Sequence, residues 1–135
     1  MTNEPTSFAY DATELPAKPA GGASLPPQLG SKQALMSAVA ERLCFPDYFG
    51  GNWDAFEECI RDLSWIPPGP ILLVHSDIPL GNDFANARTY LTILRGAVGK
   101  MSKSPDRSLI VVFPAECKKQ IEWLLRSQKA QEPRQ

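Results

Sequence analysis

Two apolar runs, ILLV at 71–74 and LIVVF at 109–113, bracket the segment NDFANARTYLTILRGAVGKM at 82–101. Short unbroken apolar runs of this kind suit strands buried on both faces, as in a parallel sheet. Between them Phe84, Ala87, Leu91, Leu94, Val98 and Met101 recur at helical spacing behind an Asn82-Asp83 start. A strand, a full helix and a second strand form a parallel βαβ unit, which crosses over right-handed. The expected fold class is therefore α/β: a small parallel sheet of two or three strands flanked by helices.

Upstream, Pro67-Pro68-Gly69-Pro70 separates the first strand from FPDYFGGNWDAFEECIRDL at 45–63. Here the aromatic turn Tyr48-Phe49-Gly50-Gly51 runs into Asn52, a good helix N-cap. A helix is predicted from about Asn52 to Leu63. At about 100° per residue, Phe56, Cys59, Ile60 and Leu63 share one face, and Asp54, Glu57, Glu58, Arg61 and Asp62 share the other. Asp54 and Glu58 are i, i+4 neighbours, so their carboxylates stand side by side; the repulsion costs an isolated helix roughly 0.2–0.5 kcal/mol. An earlier helix starts at Ser31, carries Leu35, Val39 and Leu43, and stops at Pro46. After the last strand, Ala115 to about Gln128 is helical again, with Cys117, Ile121, Leu124 and Leu125 as its apolar stripe. The domain is drawn at 31–128, with 129–135 a frayed tail. Residues 1–30 hold five of the thirteen prolines plus Gly21-Gly22 and read as an irregular extension, dispensable for folding apart from any strand near Phe8–Tyr10.

At 135 residues the chain suits one domain. No stretch approaches the roughly 20 apolar residues of a membrane helix, and the N-terminus lacks the basic start and apolar run of a secretory signal. Three cysteines, Cys44, Cys59 and Cys117, cannot all pair, which favours free thiols in a reducing cytosol. They lack metal-ligand spacing, so no zinc site is expected. Gly50-Gly51 follows no strand, and the acids beside it would repel phosphate, so no nucleotide loop is expected. His75, the single histidine, ends a predicted strand with Asp77 nearby and is read as structural. No catalytic residue, cofactor or metal ligand is assigned. The adjacent carboxylates Asp54 and Glu58 could be a hydrolytic pair, but nothing in the sequence buries them so as to split their pKa values.

The net charge of −1 conceals a segregation. Residues 40–83 hold eight acids against Arg42 and Arg61, a net of −6, whereas residues 84–135 hold ten bases against four acids, a net of +6. The field over the aromatic turn is thus negative, and a negative ridge suits a basic partner. On the last helix Lys118, Lys119, Arg126 and Lys129 have only Trp123 among them, a solvated basic face rather than a nucleic-acid interface.

The order Pro46-Asp47-Tyr48-Phe49-Gly50-Gly51-Asn52-Trp53-Asp54-Ala55 resembles the barstar family of intracellular inhibitors of the ribonuclease barnase. The likeness extends more loosely from about Ser31 to Phe113. It implies that the turn and the following helix plug a nuclease active site, with carboxylates replacing substrate phosphate. Tyr48, Phe49, Gly50, Asn52, Trp53 and Asp54 fall on the family's binding turn, and Glu58 falls on its principal interface aspartate. The resemblance also implies a short strand at Phe8-Ala9-Tyr10. Three departures stand out. Glu58 is one methylene longer than the aspartate, Glu57 replaces a tryptophan, and Arg95 to Lys100 is basic where the family is acidic. The last helix lies beyond the point where the family ends.

The expected function is a non-catalytic, cytoplasmic, monomeric inhibitor of antitoxin or immunity type, acting on a basic ribonuclease. Its partner-binding residues would be Tyr48, Phe49, Gly50, Asn52, Trp53, Asp54, Glu57, Glu58 and Trp65. Tyr48 is the surface aromatic, Phe49 or Trp53 can anchor the turn, and Trp65 either lines the site or packs beneath it. The rival expectation is a regulatory interaction domain on the same scaffold with a non-nuclease partner.

Overall fold

A computed structural model describes residues 8–10, 19–46 and 52–127. Its elements are β1 (Phe8–Tyr10), β2 (Gly21–Ser24), α1 (Lys32–Arg42), α2 (Trp53–Ile60), β3 (Gly69–Val74), α3 (Phe84–Met101) and β4 (Arg107–Phe113). A 3-10 turn at Ala115–Cys117 then leads into α4 (Lys118–Ser127). The four strands form one sheet in the order β1-β4-β3-β2, every pair parallel, with Leu72 opposite Ile110 at its centre.

The sheet has four strands, not two or three. The additional strand is β2, in a segment expected to be irregular. Gly-Gly-Ala-Ser has no strand signature because closeness, not apolar bulk, is what it contributes. A Cβ on Gly21 would stand 2.9 Å from Ile66 Cγ2, and one on Gly22 would stand 3.2 Å from Leu72 O of β3, so the outer strand lies close where it carries no side chain. Gly69, which opens β3, has φ +132°, and its Cβ would meet that of Ala20 at 3.0 Å. Residues 20–29 are clamped along their length. Ala20 N–H donates to Pro70 O (2.7 Å), Leu25 N–H to Val74 O (2.8 Å) and Gln28 N–H to Asp77 Oδ2 (3.0 Å). In return Leu29 O accepts from Leu80 N–H (3.0 Å) and Leu25 O from Ser76 Oγ (2.9 Å).

The central strands are not equally buried on both faces. Ile71, Leu73, Leu109, Val111 and Phe113 are buried, whereas Leu72, Val74 and Ile110 on the alternate face are only half-buried. The main core joins the buried face to Leu35 and Val39 of α1, Phe56 and Ile60 of α2, and Tyr90, Leu91 and Leu94 of α3. Ile121 and Leu124 anchor α4, and Arg88 Nε donates to Leu124 O at 3.0 Å.

Two helix limits and one core position differ from the sequence reading. The second helix ends at Ile60 because Leu63 takes φ 48°, a left-handed conformation that turns the chain while keeping Leu63 buried. The last α-helix begins at Lys118, after the 3-10 turn. Phe84 heads α3 but is 47% exposed, paired edge-on with Trp123 (44% exposed) at 5.5 Å instead of entering the core.

Candidate functional site

The acidic helix is fixed at its start by Asn52, whose side chain accepts from Ala55 N–H at 2.8 Å. That bond satisfies one of the free amides of the first turn. Asp54 stands in the same turn, exposed, where the helix dipole favours a negative charge. Glu58 is exposed one turn later. No hydrogen bond or ion pair within the described residues engages either carboxylate.

Glu57 behaves differently. It is half-buried and pairs with Arg61 at 3.0 Å, one turn along the same helix. Arg61 in turn lies over Gly96 of α3, 3.8 Å from where a Cβ would stand. Glu57 is therefore drawn sideways toward α3, away from the ridge formed by Asp54 and Glu58.

Trp53 anchors the helix start. Its indole N–H donates to Asn86 Oδ1 at 2.9 Å, and Asn86 is oriented by two bonds to the Asp83 carboxylate (3.2 and 2.8 Å). The ring packs edge-on against Phe56 (5.7 Å between centroids) and tilted against Tyr90 (6.4 Å), with Lys32 Nζ 5.9 Å over it. Asn86 and Lys32 were not among the sequence candidates. Both meet Trp53 through tertiary packing, for which the chain carries no local signal.

Trp65 packs beneath. Its N–H donates to Leu43 O at 2.9 Å and its ring meets Phe45 edge-on at 6.0 Å, so it braces the stem at the end of α1. Tyr48, Phe49 and Gly50 lie outside the described residues. The structure thus brings Asn52, Trp53, Asp54, Glu57 and Glu58 onto one short helix and sets Trp65 under the preceding segment.

His75 is a core residue, 4% exposed. Its Nδ1 lies 3.1 Å from Val112 O, and its Nε2 lies 2.7 Å from the hydroxyl of the fully buried Tyr90. A carbonyl can only accept, so Nδ1 carries the proton and Nε2 accepts from Tyr90. The ring stacks on Phe113 at 4.0 Å. Burial pushes its pKa down to about 4, partly offset by the bonds to the Val112 and Leu73 backbone, so it is neutral at pH 7. Burial likewise pushes the Tyr90 hydroxyl upward. Both groups are consumed by each other and by the core.

A sequence profile of the Barstar (barnase inhibitor) family matches residues 27–113. The chain belongs to the barstar family. The matched span runs from the approach to α1 through β4 and contains the whole acidic helix. Strands β1 and β2 and helix α4 lie outside it. No curated protein and no solved structure matches the chain. Barnase inhibition is accordingly the family-level function. Among the described residues, no group of three or more His, Cys, Asp or Glu could hold a metal ion. No described helix is long and apolar enough to cross a membrane.

Proposed function

We infer that the protein is a non-catalytic inhibitor of a basic ribonuclease, of antitoxin or immunity type, and that it occludes the nuclease active site with α2. The observation that carries this reading is the pair Asp54 and Glu58, two exposed carboxylates one turn apart with no cation among the described residues to neutralise them. In an ordinary solvated face such a pair has no reason to sit beside an aromatic anchor held by a hydrogen bond. Against an active site built to take phosphate, the two carboxylates supply negative charge at fixed spacing on a rigid support.

The roles divide as follows. Asp54 and Glu58 pair with arginine, lysine or histidine of the nuclease. Asn52 and Trp53 hold the helix start so that the carboxylates arrive preorganised. Tyr48, Phe49 and Gly50, just ahead of the helix in the sequence, complete the contact. Glu57, committed to Arg61, contributes through local field rather than direct pairing. Trp65 supports the stem. The free thiols of Cys44, Cys59 and Cys117 are consistent with a cytosolic protein, acting as a monomer to protect the producing cell.

Titration of a barnase-type ribonuclease with the protein, read as RNA cleavage, tests the inference. Stoichiometric inhibition is expected. Asp54→Ala and Glu58→Ala are each expected to cost about 2–5 kcal/mol of binding, mostly as faster dissociation, a range taken from buried charge pairs that include the family's own barnase complex. Inhibition unaffected by both substitutions, or binding with no inhibition, would remove the acidic helix from the interface.

A further inference from the structure

The far end of α2 opens onto a cleft where it meets the last turn of α3 and the start of β4. The cleft encloses about 240 Å³ and is lined by Arg61, Lys100, Lys103 and Arg107, together with Ser104 and Asp62. Four cations face one carboxylate.

The usual reason for bases at this place is to cap carbonyls at the end of a helix. The last turn of α3 does not need them. Val98 O accepts from Ser102 N–H (2.9 Å), Gly99 O from Ser102 Oγ (2.7 Å), Lys100 O from Lys103 N–H (3.2 Å) and Met101 O from Ser104 N–H (2.9 Å). Arg107 does bind carbonyls, giving Nε to Ile66 O (2.8 Å) and Nη2 to Ser64 O (3.2 Å). Those two bonds fix the guanidinium while leaving Nη1 with donors to spare. Arg61 commits Nη1 to Glu57, which leaves Nε and Nη2. Lys100 Nζ reaches Arg61 O at 3.5 Å with one of its three protons.

Ser104 adds a directional donor. Its Oγ accepts from Asp106 N–H (3.1 Å) and Arg107 N–H (3.3 Å), so the capacity that remains is its own proton. One Asp62 oxygen is already held by Ser64 Oγ at 3.2 Å. The cleft therefore offers an excess of charged donors, the two guanidinium groups held in place and the two ammonium groups free to adjust, and little to accept from a ligand. That combination recognises a compact, multiply charged oxyanion.

We propose that this cleft binds a phosphate dianion, free or as the end group of a small phosphomonoester. Its volume lies below the roughly 300–1,000 Å³ of drug-sized ligand sites, which suits a compact anion. No aromatic side chain lines it, so it lacks the stacking platform that single-stranded nucleic acid uses. The site is independent of the inhibitory reading of the opposite end of α2.

Amide chemical shifts of the full chain titrated with inorganic phosphate at constant ionic strength test the proposal. Saturable shifts confined to residues 61–64 and 100–107 are expected. Lys100→Ala and Lys103→Ala, both at exposed positions, should each weaken the apparent affinity several-fold. Asp62→Asn should tighten it several-fold by removing the opposing charge, an outcome that general loss of structure cannot mimic. A parallel titration with ribose 5-phosphate separates the sources: tighter binding than phosphate assigns the site to a monoester, equal binding to the free ion. Identical shifts with chloride, unchanged affinity in all three variants, or occupation by single-stranded RNA that phosphate cannot displace would overturn it.

Discussion

Acidification from pH 7 to pH 5 should destabilise the fold, and His75 should account for about 2 kcal/mol of the change. A histidine in the unfolded chain titrates near 6.5, whereas in the folded core burial holds His75 at about 4. The proton therefore prefers the unfolded chain. The full stability is present above pH 6.5 and is lost as pH falls from there toward 4. For those two values the linkage relation gives a loss of about 2 kcal/mol at pH 5 and a limit of about 3 kcal/mol below pH 4. Protonation also reverses a bond. Nε2 would become a donor facing the Tyr90 hydroxyl, which must then rotate to accept with its own proton buried and unpaired. Urea unfolding followed by tryptophan fluorescence at pH 7, 6 and 5, on the parent chain and on His75→Gln, isolates the effect. Gln cannot titrate, and the exposed carboxylates act on both proteins alike. The variant should be less stable at pH 7, and the gap should close by about 2 kcal/mol at pH 5. Parallel pH profiles in the two proteins would refute the assignment of a neutral, buried His75.

Three further expectations rest on other contacts of the fold. A chain beginning at Gly30 lacks β1 and β2 and leaves both central strands with open edges, so it should lose its cooperative thermal transition; a sharp transition would return residues 1–30 to the dispensable status that their composition indicates. Gly69→Ala should cost about 1–3 kcal/mol in urea unfolding, because φ +132° and a 3.0 Å approach to Ala20 Cβ both oppose a side chain. Trp53→Phe keeps an aromatic ring but removes the N–H given to Asn86, and should cost about 1 kcal/mol of stability.

The βαβ unit was legible because its strands are unbroken apolar runs and its helix has the periodicity of a buried face. Asn52 was legible as a cap because the required residue type stands immediately before a helical pattern. What escaped has a common cause. Strand β2 buries backbone, not side chains, so its glycines resemble a loop. Tyr90 lies beside the aliphatic stripe with a polar tip that signals a surface, yet it is fully buried, because its hydroxyl finds His75 across fifteen residues of sequence. Phe84 has the right spacing but stands at the first turn of α3, where it meets the half-exposed Trp123 ring edge-on and stays out of the core. At the candidate site the acidic ridge and its tryptophan were readable. The partners that hold them were not, since Asn86 lies 33 residues from Trp53 and is recognised only once α2 packs against α3.

An eight-residue helix with two adjacent carboxylates that no described residue pairs is a poor helix by itself. Its charge repulsion is roughly 0.2–0.5 kcal/mol, and its length is short of the roughly 12–15 residues that make an isolated helix even marginal. The opposite face decides the matter. Phe56, Cys59 and Ile60 are buried, and burial of a large apolar side chain stabilises by roughly 1.5–3 kcal/mol. An aromatic series continues from there into the sheet: Trp53 and Phe56 meet Tyr90, Tyr90 meets His75, and His75 stacks on Phe113 of β4. Packing exceeds repulsion by several-fold, so the helix holds the carboxylates at fixed spacing without help from a counter-ion. On the proposed reading, the acidic face can therefore keep its charge uncompensated until a basic partner arrives, because packing of the opposite face outweighs the repulsion.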